Sequence, residues 1–74
     1  MKQKSPAIAV EVARPQRNWS HLVGARVEIR LDGERVCSGL IDQATSDDTV
    51  LWIAADGNQG RRLFDKLSGY EVWA

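Results

Sequence analysis

An alternation of apolar and charged side chains constrains the fold of this chain more than any other feature. From residue 25 to residue 32 every odd position is apolar and every even position is charged: Ala25, Val27, Ile29 and Leu31 against Arg26, Glu28, Arg30 and Asp32. A period of two is typical of a β-strand with one face in a core and the other in water. Asp32-Gly33 then favours a two-residue hairpin turn, because both positions tolerate a positive φ.

The turn predicts how the next strand pairs with this one. Without a register slip, the partners are Leu31 with Glu34, Ile29 with Val36, Val27 with Ser38 and Ala25 with Leu40. The apolar set then continues inward across the turn, and Cys37 faces Glu28. Gly39 permits a bend or a bulge, so one bent strand can be shared between two halves of a sheet.

The remaining segments predict three more short strands. A turn over residues 45–48 leads to a strand over 49–55. Its odd and its even positions are both apolar, so we expect both faces of the strand to be covered. Strands at 61–64 and 70–74 flank a 3₁₀ turn at 65–69. A helical turn at 18–24 precedes the first long strand, and its apolar members close one end of the core: Trp19, Leu22 and Val23. Five short strands predict an all-β domain, a small five-stranded SH3-like barrel.

A basic arm precedes this domain, which we place at residues 18–74 of the 74-residue chain. Residues 1–18 hold four basic side chains against Glu11, a net charge of +3, and residues 19–74 hold six basic and nine acidic ones, a net charge of −3. Within the arm (residues 1–17), Ile8, Val10 and Val12 alternate with alanines and Glu11, so the arm can add a strand to a sheet edge. The alternative is an alanine-rich tail without a strand.

The composition argues against catalysis and against a metal or cofactor site. One cysteine, Cys37, and one histidine, His21, cannot form a thiolate zinc site or a nucleophilic set with an evident orienting acid. The loop at 57–60 lacks the lysine of a phosphate-binding loop. The apolar stretch Ala7–Val10 is too short for a secretory signal, and no apolar run is long enough to span a membrane. A lone cysteine is typical of a reducing compartment, so we expect a cytoplasmic protein.

Aromatic and arginine side chains supply the candidate binding residues. Tryptophan and arginine are enriched at binding hot spots, and the candidates are Trp52, Trp73, Arg61 and Arg62. An outward Trp73 on the last strand would contact a second subunit or a ligand, and the two arginines could grip a phosphate or a carboxylate. The alternative interpretation is that the tryptophans pack at the ends of the core and that the arginines lie in a solvated loop.

Residues 18–53 resemble the first motif of the Sm-like family. The resemblance is carried by Leu22–Gly33, a short helix that ends in glycine followed by an alternating strand and an Asp-Gly turn, and by Gly39-Leu40-Ile41 in a bent strand. It implies a small barrel and assembly of several copies. The family's Met-Asn pair is replaced by Asp47-Asp48-Thr49, and its Arg-Gly-Asp/Asn loop by Leu67-Ser68-Gly69-Tyr70, so its uridine-binding residues have no counterparts here.

These observations favour a non-enzymatic interaction module that acts through protein–protein contacts as a homo-oligomer. A core this small gains little beyond its ordering entropy, and self-association would add buried area. The alternative is an Sm-like protein that binds nucleic acid, RNA or DNA, with the basic arm and with Arg61 and Arg62. A third hypothesis is an enzyme or ligand binder whose site forms only on assembly.

Overall fold

The computed structural model describes residues 13–74. Within that range lie six β-strands and two 3₁₀ helices, and there is no α-helix. Their bounds are β1 (Pro15–Gln16), η1 (Trp19–Leu22), β2 (Arg26–Leu31), β3 (Glu34–Ala44), β4 (Val50–Ile53), β5 (Arg62–Asp65), η2 (Lys66–Ser68) and β6 (Tyr70–Trp73). No helix between residues 13 and 74 is long and apolar enough to cross a membrane.

The strands form one antiparallel sheet in the order β1-β6-β2-β3-β4-β5. This confirms the all-β prediction. The order does not return from β5 to β1, so the sheet is open and a closed barrel stays a prediction. The long strand β3 is shared between two halves, as predicted: its residues up to Leu40 pair with β2, and those from Ile41 pair with β4.

The hairpin turn is confirmed, but the predicted register beyond it is wrong. Leu31 pairs with Glu34 across Asp32 and Gly33, whose φ angles are 53° and 81°. A β-bulge then shifts the register, so that Ile29 faces Cys37 instead of Val36.

The bulge reverses the expected orientation of β3. Val27 pairs with Gly39 rather than Ser38, and Glu28 pairs with Ser38 rather than Cys37. Val36 and Leu40, which were predicted to lie inward, are 46% and 38% exposed. One extra residue moves every later side chain to the other face, because side chains in a strand alternate.

The shifted register brings β3 and β4 into close contact at Gly39. A Cβ atom on this buried glycine would lie 2.6 Å from Cγ2 of Ile53. Gly39 therefore allows Ile53 to pack directly against the backbone of β3. A side chain facing inward at this position would overlap the core.

One side of the sheet carries a core of eight buried side chains. They are Trp19, Val27, Ile29, Ile41, Leu51, Ile53, Phe64 and Val72. Trp19 closes one end of this core from η1, as predicted, and its Nε1–H donates to the Gln16 carbonyl oxygen at 3.1 Å. Val23 does not join it, because the chain turns away after η1 and leaves this side chain 50% exposed.

The outer face of β4 is less covered than the sequence suggests. Leu51 and Ile53 are buried, whereas Val50 and Trp52 on the other face are half-buried. The prediction that both faces of this strand are covered is therefore correct for the inner face only.

The chain from β5 to β6 follows the prediction closely. Asp65 caps η2 by accepting from the Ser68 N–H at 3.2 Å, and Gly69 ends it with a φ of 98°. Such a left-handed exit favours glycine.

The last residues of the arm form a short strand, β1, at a position where the sequence did not predict one. Pro15 and Gln16 pair with β6, and Arg14 exchanges two backbone hydrogen bonds with Ala74. The predicted alternation of Ile8, Val10 and Val12 lies outside the described residues.

Gly39→Ala tests whether the close contact between β3 and β4 determines stability. The new methyl group must displace Ile53 or bend β3, so we expect a loss of about 1–3 kcal/mol in the free energy of unfolding. Urea unfolding followed by circular dichroism measures this loss.

Gly60→Ala is the matched control. No atom lies within 4 Å of a Cβ placed at Gly60, and we expect a change within about 0.5 kcal/mol. Equal stabilities of the two variants would contradict the role assigned to Gly39.

Asp48 ties η1 to the turn between β3 and β4. Its Oδ1 accepts from the backbone N–H of Ser20 at 2.7 Å. This backbone hydrogen bond, with a smaller contribution from the Ser20 side chain, holds the pKa of Asp48 below its usual value of 3.8. The hydrogen bonds from Thr49 and Thr45 likewise lower the pKa of Asp47 in the same turn.

Lowered pKa values make the folded state sensitive to acid. A carboxyl whose pKa is lower in the folded than in the unfolded state stabilises the fold above pH 3.8 and loses that contribution as the pH falls through the folded pKa. Asp48→Asn keeps a residue type that tolerates the local φ of 65°. We expect this variant to have a lower melting temperature than the wild type at neutral pH, and its melting temperature to fall less as the pH is lowered. Thermal unfolding at a series of pH values measures both effects. A pH dependence identical to that of the wild type would contradict the role of Asp48.

Candidate functional site

The four predicted binding residues occupy three separate places. Trp52 and Arg61 lie together on the outer side of the sheet. Trp73 lies on the outer side of β6, and Arg62 points the other way, into a pocket at the edge of the core. The two arginines therefore do not form one grip, because neighbouring residues of an extended chain face opposite sides.

Trp52 is the centre of an outer surface that spans three strands. Cross-strand pairing places Gln43 of β3 on one side of Trp52 and Leu63 of β5 on the other. Residues paired in this way point to the same face. We call Gln43, Trp52, Leu63 and the adjoining Arg61 the Trp52 face.

Arg61 is fixed over this surface. Its guanidinium carbon lies 5.3 Å from the centroid of the Trp52 ring, within range of a cation–π interaction. Its Nε and Nη2 donate to Asp42 at 3.1–3.2 Å, and Nη2 also donates to Oε1 of Gln43 at 2.7 Å. The positive charge of Arg61 is thus already paired with a carboxylate of the same chain.

Leu63 is the residue of this surface that sequence reasoning missed. It is 54% exposed and lies on β5, the last strand of the sheet. The signal was present in the consecutive apolar pair Leu63-Phe64, since adjacent residues of a strand cannot both face one core. Phe64 takes the inner position, and Leu63 is left in water.

Trp73 points outward as predicted, but its ring is covered by neighbouring side chains. The guanidinium carbon of Arg30 lies 3.9 Å from the ring centroid, and the Nε1–H donates to Oε1 of Glu71 at 3.2 Å. Arg30 is in turn paired with Glu28. This arrangement stabilises the outer face of β2 and β6 and leaves Trp73 half-buried.

Arg62 lines a pocket of about 270 Å³ between the first half of β3 and the loop before β5. The other lining residues are Arg35, Cys37, Ser38, Asp56 and Gln59. The Nε of Arg62 is buried and has no hydrogen-bond partner among residues 13–74. A buried donor without an acceptor is unfavourable, and residues 13–74 leave this Nε–H group unsatisfied.

No group of three histidine, cysteine or acidic side chains between residues 13 and 74 is arranged so that it could hold a metal ion. Comparisons with protein-family models, with curated proteins and with solved structures find no match to this chain.

The exposed position of the Arg61–Asp42 pair predicts that Arg61 can be changed without unfolding the protein. The two side chains are 45% and 35% exposed, and exposed ion pairs contribute less than about 1 kcal/mol. We expect Arg61→Ala to lower the free energy of unfolding by no more than that in a urea titration.

Ile29→Ala provides the comparison in the same titration. Ile29 is fully buried, and removing its side chain should cost about 2–5 kcal/mol. A loss of that size in Arg61→Ala would contradict the prediction, because the ion pair would then stabilise the fold far more than its exposed position allows.

Proposed function

We propose that this protein is a non-enzymatic interaction module that associates with a second copy of itself through the edge of β5. The single observation that carries the proposal is the exposed position of Leu63 on β5, the last strand of an open sheet. There Leu63 adjoins half-buried Trp52 of the neighbouring strand β4. Among residues 13–74, β5 pairs with β4 alone. A strand with one unpaired edge is a template for another strand.

The sequence of β5 suits antiparallel pairing with itself. When two copies meet about a two-fold axis centred on Leu63, each Leu63 lies against its counterpart on the outer face. Arg61 of each copy then lies opposite Asp65 of the other, so no like charges face each other. Paired apolar residues at the centre are favourable cross-strand neighbours, and a two-fold interface uses the same patch on both subunits.

The size of the core supports an additional source of stability. Only eight hydrophobic side chains are buried in the described part of the chain. Continuing the sheet into a second subunit would pair the backbone groups of β5 and place each exposed Leu63 against its counterpart. Both effects would add to the free energy of unfolding, which is small for a single domain of this size.

We further propose that the domain belongs to the small SH3-like or Sm-like barrels. Three features support this finer assignment: the shared strand β3, the close packing at Gly39, and a 3₁₀ turn between β5 and β6. We also propose a cytoplasmic location, on the strength of the lone cysteine.

Nucleic-acid binding is the less supported alternative. Arg61 is engaged by Asp42, so its charge is already neutralised. Residues 13–74 hold eight basic and nine acidic side chains, a net charge of −1, whereas a nucleic-acid-binding domain is usually basic. The remaining basic residues of the arm would have to supply the attraction.

Leu63→Glu tests self-association. In the proposed pair it places two carboxylates side by side at the two-fold axis, so we expect the dissociation constant of the dimer to rise at least about tenfold. Light scattering coupled to size-exclusion chromatography, and sedimentation equilibrium over a range of protein concentrations, measure the assembly mass.

Leu67→Glu is the matched control. It introduces the same charge at a leucine that is 93% exposed and lies on η2, beyond the paired residues of β5. We expect it to assemble as the wild type does. A wild-type protein that is monomeric at every concentration, or equal dissociation of both variants, would overturn the proposed interface.

A further inference from the structure

The pocket beside Arg62 concentrates positive charge that forms no ion pair with an acidic side chain of residues 13–74. Two ion pairs are found among residues 13–74, Arg30 with Glu28 and Arg61 with Asp42. The two arginines of the pocket, Arg35 and Arg62, are in neither. Arg35 donates from Nη2 to Oγ of Ser38 at 3.0 Å, which is a neutral partner.

The fold holds Arg62 at the edge of the core. Arg62 pairs with Ile53 across β4 and β5, and Ile53 is fully buried. A charged side chain at an inner position is kept there only if its donors find acceptors. The chain between residues 13 and 74 offers none to its Nε, so an acceptor from outside the domain would complete the site.

The charges of the lining select the class of ligand. Arg35 and Arg62 contribute +2 and Asp56 contributes −1, so the pocket favours a monoanion. A dianionic phosphate would also lie near the Asp56 carboxylate, which is unfavourable. The planar guanidinium group matches a carboxylate through two parallel hydrogen bonds.

We propose that this pocket binds the carboxylate group of a small polar ligand through Arg62 and Arg35. With a volume of about 270 Å³ it holds more than the carboxylate alone, and Ser38 and Gln59 can hydrogen-bond the rest of the molecule. The carboxylate reaches Nε and one Nη group of Arg62 side-on once the side chain rotates to expose Nε. The same chemistry is offered by a free organic acid and by the C-terminus of a peptide.

The site is independent of the proposed self-association. One chain supplies the whole lining, and the side chain of Arg62 faces the side of β5 opposite to Leu63. Loss of the dimer would leave the pocket intact, and loss of carboxylate binding would leave the assembly mass unchanged.

A titration of the full-length protein followed by ¹H–¹⁵N NMR tests the proposal with four probes. L-lactate and the peptide Gly-Gly-Gly represent the two sources of a carboxylate; lactamide is the neutral counterpart of lactate, and inorganic phosphate represents a dianion. We expect saturable shifts of the amide signals of residues 35–38 and 56–62 with at least one carboxylate, and none with lactamide. The stronger of the two carboxylate probes identifies the source.

Variants then assign the binding to the pocket. Arg62→Gln should weaken binding at least about tenfold, and Arg35→Gln provides the same test at the second arginine if the first variant does not fold. Arg26→Gln removes the same charge from an exposed position outside the pocket and should bind as the wild type does.

Cys37 gives a second readout because it lines the pocket and is the single cysteine of the chain. A bound carboxylate should slow its alkylation by iodoacetamide, measured by mass spectrometry of the intact protein. No saturable shift at carboxylate concentrations up to about 50 mM, equal shifts with lactamide, tighter binding of phosphate, or unchanged binding by both pocket variants would overturn the proposal.

Discussion

The contact between Gly39 and Ile53 is the constraint on which the rest of the sheet depends. β3 must pair with β2 over its first half and with β4 over its second half, so β4 has to approach close to the point where the pairing changes. Irregularities in the register lie on both sides of this point and keep Gly39 and Ile41 on the inner face. The absence of a side chain at Gly39 leaves the space that Ile53 fills.

Local rules were enough to predict most of the elements. The Asp32-Gly33 turn, the alternation in β2 and the 3₁₀ turn after β5 depend on residues close together in the chain. The bulge in β3 does not, because alternation alone extends the apolar set to Val36 and Leu40 as readily as to Cys37 and Ile41. Packing against β4, which lies more than ten residues further along the chain, decides between these registers.

In the candidate site, too, local sequence predicted the residues but not their contacts. Residue type identified the candidates Trp52, Trp73, Arg61 and Arg62, whereas their partners, which determine what each can do, come from distant parts of the chain. Asp42 and Arg30 belong to other strands, and only the folded sheet brings them to Arg61 and Trp73. The separation of Arg61 from Arg62, by contrast, follows from the period of a strand and could have been predicted once β5 was placed.

β5 joins the two proposed activities because its four residues serve both faces of the sheet. Leu63 lies on the outer face, at the edge that no other strand of residues 13–74 pairs with, and Arg62 lies on the inner face beside the pocket. Because neighbouring residues of a strand face opposite sides of the sheet, the edge of β5 can pair with a second copy while the side that carries Arg62 stays open to a ligand. The same alternation keeps the two activities separate, since a substitution on one face leaves the side chains of the other face in place.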